Sequence, residues 1–355
     1  MANMVSSVKA PMHVKIVDVA AAAGVSISTV SKVLSNGVSA QQVSSATIAR
    51  VQKVAQELGY VPNAAARGLR QRRSNQVGVI LAGFQDAGIP TEVRLSLEGA
   101  FLLGLIGAAR ERGLPGVVVY PTDASHPLEP NLYLDGRVDG LIVQSDPWGR
   151  NLLRDLDPRR IPTVGIWTQD VPQGVAYADT DHVGGAVQAI EHLLGLGHRK
   201  IAFLGPPLER PGSNENFQGR LAGYKQTLER AGIVPDPRWH IQDHHGVLRL
   251  LREAEPISAV FAVNDRRAIP LVGALEAAGV RIPQDLSLVG FDNAMGTDLI
   301  AGGLTTVDHP VLEVGAAALE NLIALIEGAD AMHCRTVIPT RLVVRHSTAP
   351  HRSTP

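Results

Sequence analysis

The chain has 355 residues, 45% of them hydrophobic, values that suit two or three globular domains with a substantial core. The net charge of −1 hides an asymmetry: residues 1–75 carry nine Lys/Arg against Asp18 and Glu57, which gives +7 and leaves −8 for the remainder. A basic end on an acidic body points to a nucleic-acid contact confined to that end. The single cysteine, Cys334, excludes an internal disulfide. With no signal-peptide pattern in residues 1–12 and no apolar run long enough to span a bilayer, the expectation is a soluble cytoplasmic protein.

Residues 1–13 read as a disordered extension. Ile16, Val19, Ala20 and Ala23 recur at helical spacing and predict a first helix over 16–23. Gly24 marks a tight turn, and Ser26 is a natural N-cap for a second helix over 27–34 that buries Val30, Val33 and Leu34. Ser44 caps a third helix with Ile48, Val51, Val54, Ala55 and Leu58 on its inner face, ending at Gly59. Two short helices joined by such a turn form a helix-turn-helix, whose second helix enters the DNA major groove. That nominates Ile27, Ser28 and Lys32 for base edges, and Ser26, Thr29 and Ser31 for phosphates. For each Ser or Thr the competing role is a helix cap, and for Lys32 a solvated charge. This domain is expected over 14–61.

A hinge is expected over 62–75. Pro62 opens a helical stretch of about nine residues, too short to be stable alone in water. Gly68 weakens it by roughly another 1 kcal/mol.

From Gln76 the pattern changes to apolar strand-like runs at 77–81, 117–120, 140–143, 162–166, 200–204, 259–263 and 286–291, with helical stretches such as 184–196 and 220–231 between them. Such alternation predicts an α/β body with parallel sheets covered on both faces, and its length predicts two lobes. Ligands in open α/β sheets bind beyond the carboxyl ends of strands. Asn264, Asp265 and Asp292 stand there, and Arg220 opens a helix after a long loop. With Trp167 or Phe84 as a stacking face, these groups suit a polyhydroxylated ligand, most simply a sugar. Asp265 reads as a structural N-cap. The tail 349–355 has no apolar heptad, so dimers without tail-mediated tetramers are expected. No dinucleotide, P-loop or nucleophile-elbow motif occurs, and His244-His245 and His333-Cys334 lack further ligands at metal spacing, so no cofactor or metal is signalled.

These motifs together carry a family resemblance. Asp18-Val-Ala, Gly24-Val-Ser, Thr29-Val-Ser, Val43-Ser with Thr47, Leu58-Gly-Tyr-Val-Pro-Asn, Ala66-Arg67 and Leu69 are similar to the lactose-repressor/galactose-repressor family of bacterial transcription regulators. The resemblance continues through Arg137-Val-Asp-Gly, Gly195 to Gly205, Gly219-Arg-Leu-Ala-Gly-Tyr, Val289-Gly-Phe-Asp and the run from Pro339 to Thr348. It implies a periplasmic-binding-protein-like body with three crossovers, near 179–182, 292–310 and 335. The first lobe would then take 76–180 and 311–334, and the second 181–310 and 335–348.

The resemblance further implies a homodimer on a pseudo-palindromic operator. Leu69 would wedge into the minor groove, with Asn63 and Arg67 also at the DNA, and Arg220, Asn264 and Asp292 would contact a small-molecule effector. Departures are a longer loop over 35–42, a longer strand-to-helix stretch over 82–103 that contains Phe84, Gln85 and Asp86, prolines at 127 and 130, and Trp167 where an aspartate is common. The reading is a DNA-binding repressor switched by an effector between its lobes. An enzyme on the same body would leave the head unexplained, and a transport receptor would need a signal peptide.

Overall fold

The computed structural model describes residues 14–34, 43–62, 73–81, 91–120, 130–145, 147–208 and 215–351. The chain separates into two units at Ser74/Asn75.

The described residues of the first unit include three helices, α1 (Ile16–Ala23), α2 (Ile27–Leu34) and α3 (Ser45–Glu57). The side chain of Asp18 accepts the Lys15 N–H at 2.7 Å and fixes the start of α1. Its end is fixed by Gly24, whose φ of 64° lets the Val25 N–H return to the Ala20 carbonyl at 3.1 Å. The chain bends by 104° between α1 and α2, within the helix-turn-helix range. Ser44 caps α3 by accepting the Thr47 N–H. Val19, Ala20, Ala23, Val30, Val33, Val51 and Ala55 close a small core. Leu58, expected in that core, is 38% exposed. The chain reverses at Gly59, the Tyr60 N–H bonds the Ala55 carbonyl at 2.8 Å, and Tyr60 packs on the core instead. The expected long loop 35–42 lies outside the described residues.

The second unit is built on two six-stranded sheets. In the first, the order β11-β5-β4-β3-β1-β2 joins Arg335–Ile338, Ala176–Thr180, Thr163–Ile166, Leu141–Gln144, Gln76–Ile80 and Gly116–Tyr120, all parallel. In the second, the order β12-β10-β9-β8-β6-β7 joins Arg341–Val343, Thr305–Asp308, Ser287–Asp292, Ala259–Ala262, Ile201–Leu204 and His240–Ile241. Only the β10–β12 pair in it is antiparallel. Strands such as β4, β6, β8 and β9 are buried along their whole length, as parallel strands covered on both faces must be.

Among the described residues of this unit the helices are α4 (Thr91–Glu111), α5 (Pro147–Asp155), α6 (His182–Gly195), α7 (Glu215–Arg230), α8 (His244–Leu250), α9 (Asp265–Ala277) and α10 (Val311–Ile326). After β5 the chain enters α6, which packs with α7 beside the second sheet. It returns after β10 into α10, which packs with α4 against the first sheet. The third crossover was expected near 335. It falls instead after Ile338, because Arg335–Ile338 pair in parallel register with Tyr177–Thr180 and belong to the first sheet.

The stretch 82–103 is not a loop throughout: residues 91–103 are helical, and 82–90 lie outside the described residues. Gly104 of α4 and Gly315 of α10 serve helix packing. A Cβ on Gly104 would stand 1.9 Å from the Leu312 carbonyl oxygen, and one on Gly315 would stand 2.2 Å from that of Phe101. The backbones of α4 and α10 therefore touch through two glycines. The tail is tied down as far as His351, with the Ala349 N–H on Ser287 Oγ at 3.1 Å and the His351 N–H on the Leu196 carbonyl at 2.8 Å.

Candidate functional site

In the head, the geometry of α2 sorts the candidate DNA residues. Val30 and Val33 face the core, while Ile27 is 45% exposed. Ser26 and Ser28 are exposed; Thr29, Ser31 and Lys32 are half-buried. Ser26 is engaged as a cap: its Oγ accepts the Thr29 N–H at 3.1 Å, and the two hydroxyls lie 2.9 Å apart. Asn63, Arg67 and Leu69 lie outside the described residues.

In the body, the candidate ligand residues gather at the carboxyl ends of β8 and β9. Arg220, on α7, is 2% exposed, an expensive place for a guanidinium unless it is paired. It donates to the Val263 carbonyl at 2.6 Å and lies 3.1 Å from Asp292 Oδ1. Its plane also lies over the Phe291 ring at 3.7 Å. Its Nε meets His182 Nδ1 at 3.4 Å, which leaves the His182 Nε2 proton toward Asp179 Oδ1 at 3.3 Å. Asp292 and Asn293 have φ of 111° and 50°. Such non-glycine backbone costs energy and persists only where the surroundings fix it. Here they do, since Asn293 donates to Asp308 at 2.8 Å and accepts from Arg345 at 2.7 Å.

Asn264 caps α9, its side-chain oxygen accepting the Arg267 N–H at 3.2 Å. That corrects the expectation for Asp265, which is the first helical residue and not the cap. Fully buried, Asp265 accepts the Ala294 N–H at 2.8 Å and the Thr306 hydroxyl at 2.7 Å, and so ties the ends of β9 and β10 to α9.

The electrostatics follow from burial and charge. Burial pushes the Asp292 carboxyl up, but Arg220 and then His309 outweigh it and hold it below the usual carboxylate range. Burial, with Asp292 next, pushes Asp265 up to about 7. His182 is brought down to about 4 by burial, against the pull of Asp179, so it is neutral at pH 7.

A pocket of about 430 Å³ adjoins this cluster, walled by Leu97 and Ala100 of α4, by 292–295 after β9, and by 308–313 between β10 and α10. Of the predicted effector residues that are described, Asp292 lines it and Arg220, Asn264 and Trp167 do not. Arg220 sits behind Asp292, and Asn264 is joined to Arg220 through the neighbouring Val263 carbonyl. Trp167 stands apart, edge-on to Phe101 of α4 at 5.8 Å, with φ of 58° and a buried indole N–H that has no partner. Phe84, Gln85 and Asp86 lie outside the described residues.

Sequence reasoning missed His182 and His309, whose rings meet edge to face at 5.5 Å. His309 Nδ1 lies 3.5 Å from Asp292 Oδ1, and neither of its ring nitrogens has a hydrogen-bond partner. The signal was present, because both histidines stand in expected crossovers, and crossovers border the cleft. Among the described residues no group of three or more His, Cys, Asp or Glu is placed to hold a metal.

Comparison with known proteins fits this geometry. Residues 15–63 match the model for bacterial regulatory proteins of the lacI family, and 190–348 match the periplasmic binding protein-like domain. The regulator DegA of Bacillus subtilis is 30% identical over 353 residues, covering 96% of this chain and 99% of DegA. The chain belongs to the LacI family. CelR of Thermobifida fusca is 32% identical over 342 residues, covering 93% of this chain and 96% of CelR. A solved CelR–cellobiose complex superposes with a TM-score of 0.64 at 28% identity over 94% of this chain and 100% of that one. The lac repressor dimer bound to operator superposes at 0.74 over 95% of this chain and 99% of that one, at 24% identity. As a LacI-family member the chain is a DNA-binding transcriptional regulator and not an enzyme.

Proposed function

We propose that this LacI-family regulator is a cytoplasmic repressor that binds a pseudo-palindromic operator as a homodimer and is switched by a sugar held between its lobes. The observation that carries the effector reading is the Arg220–Asp292 pair, buried at the strand ends beside a pocket walled by both lobes. In this reading Asp292 and His309 meet the ligand hydroxyls, and Arg220 and Asn264 hold that wall. The stacking face for the ligand is assigned to Trp167 or Phe84. A relative bound to cellobiose supports a sugar as the ligand class.

On the DNA side, α2 lies in the major groove with Ile27 against a thymine methyl and Ser28 and Lys32 at base edges. Ser26, Thr29 and Ser31 bond phosphates. The hinge over 62–75 folds as paired helices on DNA, where Asn63 and Arg67 bond the backbone and Leu69 wedges into the minor groove. Effector binding shifts one lobe against the other, alters the hinge spacing and so changes operator affinity, through its differential affinity for the two arrangements.

Selection of binding sites from a random DNA library tests the reading helix. Lys32→Ala loses preference at one base pair, at a cost of about 1–3 kcal/mol if Lys32 reads guanine. A uniform loss of affinity with every base preference intact assigns Lys32 to the phosphates and removes it from the base-reading set.

A further inference from the structure

Glu215 opens α7 in the second lobe, yet its carboxylate is held by the first. Thr168, directly after the β4–Trp167 corner and fully buried, donates its hydroxyl to Glu215 Oε2 at 2.6 Å. Arg150 of α5, with its side chain only 11% exposed, reaches Glu215 Oε1 at 3.5 Å. Thr168 is itself fixed, because its hydroxyl accepts the Asp170 N–H at 3.1 Å. Arg150 and Thr168 are shielded from solvent while the Glu215 side chain is 27% exposed, and a bond from a buried hydroxyl to a carboxylate is charge-assisted. The adjacent Gln169 donates to Asp179 Oδ2 at 3.2 Å, and Asp179 adjoins His182, which adjoins Arg220. One short turn, 167–170, thus touches the second lobe at Glu215 and the polar cluster at Asp179.

We propose that Glu215, Thr168 and Arg150 form a clasp that sets the resting closure of the two lobes and, through Gln169 and Asp179, positions Arg220. The proposal rests on the effector reading above for its consequence: effector affinity scales with the population of the binding-competent arrangement, so the clasp sets the effector concentration at which the regulator switches. Glu215 is a positioning residue in this account, not a ligand contact.

Hydroxyl-radical footprinting of the full-length protein without ligand reads the closure as side-chain accessibility, independently of what the effector is. Loss of a hydrogen bond to a charged group shifts the open population by about tenfold or more. In Glu215→Ala, which removes both the Thr168 and the Arg150 contacts, labelling of Trp167, His182 and His309 rises together, while Phe261 in the second-lobe core stays protected. Thr168→Val gives the same pattern to a lesser degree and serves as the test should Glu215→Ala fail to fold. Adding Thr168→Val to Glu215→Ala changes little, because Glu215→Ala has already removed the Thr168 contact. Labelling confined to Trp167, no change at all, or additive effects in the double variant each overturn the clasp and leave the effector reading standing.

Discussion

Replacing Arg220 with leucine is expected to destabilise the body by about 3–5 kcal/mol, the cost of leaving one partner of a buried ion pair alone. Asp292 is 8% exposed, and Arg220 is the first of the neighbours that hold its carboxyl down against burial. The variant also loses the bond to the Val263 carbonyl and the stacking on Phe291. The Val263 carbonyl immediately precedes the α9 cap Asn264, so both strand ends at the cleft lose their tie. Tryptophan fluorescence during urea unfolding measures this cleanly, because Trp148, Trp167 and Trp239 all lie in the second unit. Arg220→Leu combined with Asp292→Leu recovers much of the loss, as apolar replacement of both partners often does. A single variant that unfolds at the wild-type urea midpoint shows that the pair does not hold the strand ends.

Asp265→Asn is expected to change how stability depends on pH. Burial raises the folded pKa of Asp265 to about 7, above its unfolded value. Its contribution is therefore fully present below the unfolded pKa and is lost as pH rises through about 7. His182 has the opposite sign: its folded pKa of about 4 lies below its unfolded value, so its contribution is present above the unfolded pKa and is lost as pH falls toward 4. The two oppose each other in mildly acidic solution, and comparison with the variant isolates the aspartate. Between pH 5 and 7, the stability of Asp265→Asn relative to wild type rises by up to about 1.4 kcal/mol per pH unit. Parallel stability curves across that range would show that Asp265 titrates as an ordinary surface carboxylate.

What was legible in the sequence is what local chemistry decides. The bounds of α1 and α2 follow from Gly24, the Ser26 cap and the spacing of Val19, Ala23, Val30 and Val33, all within a few residues of one another. The strands were visible because a strand buried on both faces is a continuous apolar run. The failures share a cause, a partner distant in sequence. Asn264 and Asp265 are adjacent and equally good caps, and only Ala294 and Thr306, about 30 and 40 residues away, decide which one caps. Arg335–Ile338 is a short polar-edged run, and its pairing with β5 is fixed by how α10 returns to the first sheet. Gly104 and Gly315 look like breakers until the opposing helix is placed. The clasp at Glu215 joins residues 47 apart, a spacing without local periodicity.

The central claim is that one small molecule in the cleft changes operator affinity. The direct measurement is a footprint titration of the full-length protein on DNA from around its own gene, with and without each of a panel of sugars that includes cellobiose. The account predicts a protected, near-palindromic site with a hypersensitive centre, and at least one sugar that shifts the half-saturation point by about 5- to 150-fold. The same sugar leaves the Arg220→Leu footprint unmoved. A site whose occupancy is indifferent to every sugar, or a shift that survives the loss of Arg220, contradicts it.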